Sequence, residues 1–286
     1  MRHLLIIFSL FLFSFTYISC SRSSDGGSSN TSTTTDDDTI TITITITDDN
    51  STTTDNTTTS PWTKQLGTSD SDEGRGVTTD SSGNVYVTGY TGGGLDENTN
   101  SGSNDIFLVK YNSSGTIQWT KQLGTSGYDY GQDVTTDSSD NIYVTGSTGG
   151  DLDGNTSSGG NDIFLVKYNS SGTKQWTKQM GTSSDDWGNG VTTDSSGNIY
   201  VTGYTNGGLD GNTHSGYGDI FLVKYNSSGT KQWTKTSSVG IGNGVTTDSS
   251  GNIYVTGQTQ GGLDGNTNSG ETDIFLVKYN SSGIKQ

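Results

Sequence analysis

Cysteine is almost missing from this chain: Cys20 stands alone among 286 residues. One thiol makes no intramolecular disulfide, and zinc or iron–sulfur ligand sets are excluded on count. There are only two histidines, His3 and His214, and one proline. Positive charge is scarce, with 14 Lys and Arg against 30 Asp and Glu and a formal charge of −16. Nucleic-acid affinity comes from basic side chains neutralising phosphates, so that class of partner is excluded. Direct adhesion to anionic lipid heads is disfavoured for the same reason. The acidic surface favours solubility and the attraction of cations or basic partners. Hydrophobic residues make up only 26% of the chain, a level that alone suggests disorder. They are not scattered, however. They recur in short β-branched and aromatic clusters at a fixed period, which lets a lean chain still build a core.

The exception to this lean pattern is the N-terminus. Residues 1–20 read MRHLLIIFSLFLFSFTYISC. Arg2 gives a positive start, Leu4–Phe15 is an apolar run, and the small Ser19 precedes Cys20. This is the layout of a secretory signal peptide (residues 1–19), too short for a stable transmembrane span. The end Tyr17-Ile18-Ser19-Cys20 resembles a bacterial lipobox, with Tyr17 in place of the usual Leu. The resemblance implies cleavage before Cys20, loss of His3 and lipidation of Cys20. Membrane contact is then expected only through the lipid anchor. Residues 20–61 are almost entirely Ser, Thr, Asp, Asn and Gly, a stalk that cannot bury enough surface to fold. Within it, Ile40, Ile42, Ile44 and Ile46 alternate as in a strand. A strand that docks on the domain and a low-complexity tract are the two readings, the second favoured because the flanking aspartates, Asp36–Asp38 and Asp48–Asp49, keep it solvated.

From residue 62 onward the chain repeats. Trp62, Trp119, Trp176 and Trp233 are spaced 57 residues apart, and each heads a WTK string. Repeats of that length mean stacked supersecondary units. Four strands can be read in a unit: Val77–Asp80, Val85–Tyr90, Asp105–Asn112 and Ile117–Leu123. The Ile-Phe-Leu-Val run in the third is apolar on consecutive residues, the pattern of a strand buried on both faces. Asp80–Asn84 and Asn112–Gly115 suit type I turns closed by a left-handed Gly. The second unit carries Asp140 at that Gly position, a residue type that tolerates the left-handed region. Four strands per unit is the count of a propeller blade.

The strings DSSGNVYVTG (80–89), GGLDGNTNSG (261–270) and DIFLVKYNSSG (105–115) resemble the SBBP family of bacterial β-propeller repeats. The resemblance runs over residues 62–286 and implies a propeller. It implies no ligand. The expectation is an all-β fold, a β-propeller of four four-stranded blades closed by the N-terminal strand. Residue 286 falls where the next Trp would stand, so Trp62–Leu66 is expected to complete the last blade against Asp273–Asn280. The expected state is a monomer. An eight-bladed ring of two chains and a truncated gene are the alternatives.

Hairpin order places the near-constant DSSGN and NSSG turns on one face and the variable loops on the other. The variable face carries Glu73, Arg75, Tyr128, Tyr130, Trp187, His214 and Tyr217, the candidate ligand-binding residues, since variable loops on a rigid scaffold are where function concentrates. Drift on exposed loops is the competing reading. Nucleophilic catalysis needs a nucleophile beside an oriented base, and His214 sits in a Gly/Ser/Thr loop. No catalytic residue and no cofactor are therefore expected. A Ca²⁺ loop is the one metal candidate: Asp151, Asp153, Asn155 and Asp162 hold positions 1, 3, 5 and 12. Thr156 departs from the Gly needed at position 6, and the competing reading is a turn in which Asp and Asn bond their own backbone. The sequence is read as a non-catalytic interaction or scaffold module on an exported bacterial envelope lipoprotein, at the outer membrane or cell surface, binding an extracytoplasmic protein or glycan. A hydrolase or lyase on the loop face, and a purely structural envelope protein, are the alternatives.

Overall fold

The computed structural model describes residues 61–286 except 217 and 238. The signal segment, Cys20 and the stalk up to residue 60 lie outside the described residues. Blade 1 comprises β1 (Asp72–Thr79), β2 (Val85–Thr91), β3 (Asp105–Tyr111) and β4 (Ile117–Leu123). Blade 2 comprises β5 (Asp129–Thr136), β6 (Ile142–Thr148), β7 (Asp162–Tyr168) and β8 (Lys174–Met180). Blade 3 comprises β9 (Asp186–Thr193), β10 (Ile199–Thr205), β11 (Asp219–Tyr225) and β12 (Lys231–Ser237). Blade 4 has three strands, β13 (Gly240–Thr247), β14 (Ile253–Thr259) and β15 (Asp273–Tyr279). Each sheet is an antiparallel meander in sequence order.

The turns behave as their chemistry requires. Gly83 and Gly115 lie at φ +76°, and Asp140 takes the same region at φ +57°. Asp80 Oδ1 accepts from the backbone N–H of Ser82 and Asn84, and its Oδ2 from the Asn84 amide and the Tyr86 hydroxyl. The same network recurs around Asp137, Asp194 and Asp248.

The core lies between blades. Ile106 and Leu108 of β3 pack with Val134, Ile142, Val144, Phe164 and Val166 of blade 2. Ile163 and Leu165 repeat this against blade 3, and Ile220 and Leu222 against blade 4. The consecutive apolar run of the third strand thus serves two interfaces, one per face. The Trp side chains are only half-buried. Trp119 leans on Tyr86 of its own blade, with ring centroids 5.9 Å apart, and abuts Gly172 in the next.

Two features differ from expectation. The first strand begins at Asp72, not Val77. Its leading half, Asp-Glu-Gly-Arg-Gly, hides the strand pattern behind charges and glycines and contains a β-bulge between Gly74 and Gly76. The closure of the ring is also not formed. Trp62–Leu66 makes no ladder with β15, and blade 4 keeps three strands. The segment lies instead on blade 1, where the Trp62 indole N–H donates to the Ser113 carbonyl at 3.2 Å. Its ring stacks on Tyr111, with centroids 6.1 Å apart. Blades 1–2, 2–3 and 3–4 meet chiefly through their first strands. On blade 4, Ile274 is 92% exposed and Leu276 71%, where Ile106 and Leu108 are 4% and 2% exposed.

Candidate functional site

The strand-one bulges stand beneath the variable face. At the loop end of the first strands of blades 1–3 a carboxylate gathers the preceding loop, half-buried at Asp72 and buried at Asp129 and Asp186, while blade 4 has Gly240 there. Asp129 accepts from Thr125, at its backbone N–H (2.6 Å) and its hydroxyl (3.0 Å), and from the Thr148 hydroxyl. Asp186 gathers Thr182 in the same way. Burial pushes the carboxyls of Asp129 and Asp186 above the ordinary 3.8, with these hydrogen bonds acting against it. The loop before Tyr128 is fixed from both sides. Ser103 N–H donates to the Gly127 carbonyl, Asp129 N–H to the Asn104 carbonyl, and Gly149 N–H to the Tyr128 carbonyl. Loop side chains are therefore held on a rigid frame.

The residue after each of these aspartates is Glu73, Tyr130 or Trp187, and Ile241 holds the position in blade 4. In register opposite them on the second strands stand Tyr90, Ser147, Tyr204 and Gln258. Blade packing brings these positions into one row. Tyr90 meets Tyr130 edge-on at 5.0 Å, and Tyr130 stacks on Trp187 at 5.6 Å. Trp187 runs parallel to Tyr204 at 6.5 Å, and Tyr128 stacks on Tyr130 at 6.1 Å. Three blades contribute. Tyr128, 55% exposed, branches from the middle of the row at Tyr130.

Arg75 caps the row on blade 1. Its guanidinium lies 4.8 Å from the Tyr90 ring centroid and 5.4 Å from that of Tyr130, within cation–π range. It donates to Glu73 Oε1 at 3.0 Å, while the Tyr90 hydroxyl donates to Oε2 at 2.9 Å. The Tyr90 hydrogen bond first, and Arg75 second, hold the Glu73 carboxyl below the usual carboxylate range. The structure therefore joins five expected residues, Glu73, Arg75, Tyr128, Tyr130 and Trp187. It adds Tyr90 and Tyr204, which sequence reading missed. Their signal was the variation Tyr, Ser, Tyr, Gln after an otherwise constant Val-Thr-Gly.

His214 does not join the row. Its Nδ1 lies 3.3 Å from Asp219 Oδ2 without hydrogen-bond alignment, and the Ser215 hydroxyl donates to the other oxygen of that carboxylate. Serine and imidazole thus each face Asp219, on different oxygens, and not one another. Tyr217 lies outside the described residues.

The four oxygen ligands of the Ca²⁺ pattern do not converge. Asp151 accepts from the backbone N–H of Ser157, and the Asn155 amide donates to the Leu152 carbonyl. Asp153 pairs with Lys174 and accepts from the Thr177 hydroxyl. Asp162 is buried and accepts from Ser158 N–H and the Gln179 amide. Asp151 and Asn155 serve their own turn, Asp153 and Asp162 tie it to β8, and no group of three or more His, Cys, Asp or Glu suited to a metal occurs among the described residues.

Residues 62–96, 118–153, 175–210 and 234–264 match the family described as SBBP, beta-propeller repeat. The chain is a β-propeller repeat protein. Among curated relatives, this propeller is 29% identical over 234 aligned positions to an uncharacterised WD repeat-containing protein of Acanthamoeba polyphaga mimivirus, covering 64% of this chain and 17% of that one. It is 26% identical over 171 positions to the regulatory protein FlaEY of Caulobacter vibrioides, covering 54% of this chain and 18% of that one. The propeller chain thus spans less than a fifth of either relative. Among solved structures it is similar to a gluconolactonase from Xanthomonas campestris, with TM-score 0.43 and 11% identity over 74% of this chain and 60% of that one. A polysaccharide lyase of the ulvan lyase type gives TM-score 0.41 and 13% identity over 73% and 56%.

Proposed function

We propose that this propeller is a non-catalytic binding module that takes an extracytoplasmic protein or glycan on its loop face, with the row Tyr90–Tyr130–Trp187–Tyr204 as the contact surface. The observation that carries the reading is the convergence of five aromatic rings, Tyr128 branching from Tyr130, and one arginine from three blades. Tyr, Trp and Arg are the side chains that concentrate binding energy at interfaces, because they offer large rigid area with a polar tip. Here they are held by buried aspartates and bulges, so little conformational entropy is lost on binding. Arg75 is the only arginine after residue 22 in an acidic chain, and it sits within this row. The proposal includes export and attachment through Cys20, on the strength of the N-terminal pattern. The test is a glycan and protein binding array probed with the purified chain and with Trp187→Ala. A hit retained by the parent and lost by the variant supports the reading. Equal binding by both places the contact elsewhere.

A further inference from the structure

The structure leaves one groove and one strand without each other. In blade 1 the outer strand plugs its own sheet through Gln122: Leu95 N–H donates to Oε1 at 3.0 Å, and Nε2 donates to the Gly93 carbonyl and to Asp105. Gln179 does the same in blade 2 with Leu152, Gly150 and Asp162. Blade 4 has the corresponding groups, Leu263 N–H, the Gly261 carbonyl and Asp273, but among the described residues nothing beyond a bridge of Lys285 to Tyr279 pairs with β15 on that side. These groups line a cleft of about 310 Å³ along β15.

The segment that fits is Trp-Thr-Lys-Gln-Leu, residues 62–66, identical in sequence to Trp119–Leu123 of β4. Gln65 holds the place of Gln122. This segment is already posed as an outer strand. Trp62 and Lys64 lie against Gly115 as Trp119 and Lys121 lie against Gly172 of the following blade. Yet it belongs to no sheet.

The apolar faces match in the same way. Ile274 and Leu276 are exposed on blade 4, and their counterparts in blades 1–3 are buried against the next blade. The receiving side of blade 1 has Val77, 66% exposed, and half-buried Val85 and Val87 beside Leu66, over buried Phe107 and Val109 and a cleft of about 350 Å³. Three equivalent interfaces set one rotation from blade to blade. After four blades that rotation has not brought the last blade onto the first.

We propose that a second copy of this chain supplies the missing contact in both directions. The 62–66 segment of each copy becomes the fourth strand of the other's last blade, and two copies close a ring of eight blades. Blade 4 of each copy meets blade 1 of the other, so the pair has two-fold symmetry and leaves no free edge. Eight lies within the usual range of propeller blade counts. By the register of β3 with β4, Thr63 faces Val277 and Gln65 faces Phe275.

The test uses the full chain with Cys20→Ser, so that the native thiol forms no link. Sedimentation equilibrium is expected to give a dimer at micromolar concentration. Ile274→Asp with Leu276→Asp alters only exposed side chains of the single copy, so its circular dichroism should be unchanged. Its dimer should weaken at least tenfold. A parent that stays monomeric at about 100 micromolar, or that forms a ladder of larger species, overturns the two-copy ring. Mixing a Thr63→Cys copy with a Val277→Cys copy under oxidation should give a disulfide-linked dimer. When both cysteines are placed in one chain, a monomer with an internal disulfide would show self-closure and overturn the proposal.

Discussion

Gly172 of blade 2 lies against the indole of Trp119 in blade 1, and a Cβ placed on it would come within 2.9 Å of the ring. Its φ of +77° adds backbone strain for any other residue. Gly172→Ala is therefore expected to destabilise the fold by about 1–3 kcal/mol. Trp119→Ala should cost less than the 3–5 kcal/mol of a fully buried aromatic, about 2–3 kcal/mol, because the ring is half-buried. Chemical denaturation of both variants checks the pair. A loss below about 0.5 kcal/mol in both would show that the Trp–Gly contact does not join the blades.

The bulge at each first strand depends on the glycine opposite. A Cβ on Gly146 would overlap the carbonyl oxygen of Tyr130, so Gly146→Ala must push the first strand away. The expected result is a loss of more than about 3 kcal/mol together with a changed near-ultraviolet signal, since Tyr130 and Trp187 are displaced with it. A variant of parental stability and spectrum would contradict the rigid-frame account of the site.

Acid sensitivity has a defined sign. Burial raises the Asp137 carboxyl, but hydrogen bonds from Asn141, Tyr143 and Ser139 outweigh it and hold the group below 3.8. A depressed folded value gives stability that is present above the unfolded value and lost as pH falls through the folded one. Asp137→Asn is thus expected to cost about 1 kcal/mol at pH 7, and the gap to the parent should shrink below pH 4. Asp133 runs the other way: burial raises it first, against hydrogen bonds from Val191 and Val134. Its contribution is fully present below the unfolded value and is lost as pH rises through the folded one. Denaturation curves at pH 3, 5 and 7 test the Asp137 sign. A gap that widens toward pH 3 would contradict it.

The strands were legible because β-branched clusters and Gly-closed turns recur at one spacing, and the double-faced Ile-Phe-Leu-Val run announced packing on both sides. The start of β1 was not, because Glu73, Gly74, Arg75 and Gly76 carry no apolar alternation. Tyr128, Tyr130 and Trp187 could be singled out as unit-specific loop residues. That Tyr130 stacks on Trp187, 57 positions away, depends on blade packing, which no local pattern encodes. Tyr90 and Tyr204 sit inside strands and were passed over for that reason. The Trp62–Leu66 string shows which ladder it suits, but not whose β15 it meets.

Attachment through Cys20 gives a separate outcome. In cells, Cys20→Ser should move the protein from the detergent phase to the aqueous phase, because acyl chains contribute roughly 0.8 kcal/mol per buried CH₂. Equal partitioning of the two forms would remove the anchor from the account.

The most direct measurement of the central claim is hydroxyl-radical footprinting of the purified chain with and without a ligand retained from the binding array. Protection is expected at Tyr90, Tyr128, Tyr130 and Trp187, with Trp62, 39% exposed beside the NSSG turn, unchanged. Protection confined to the DSSGN and NSSG face, or none on the aromatic row, would contradict it.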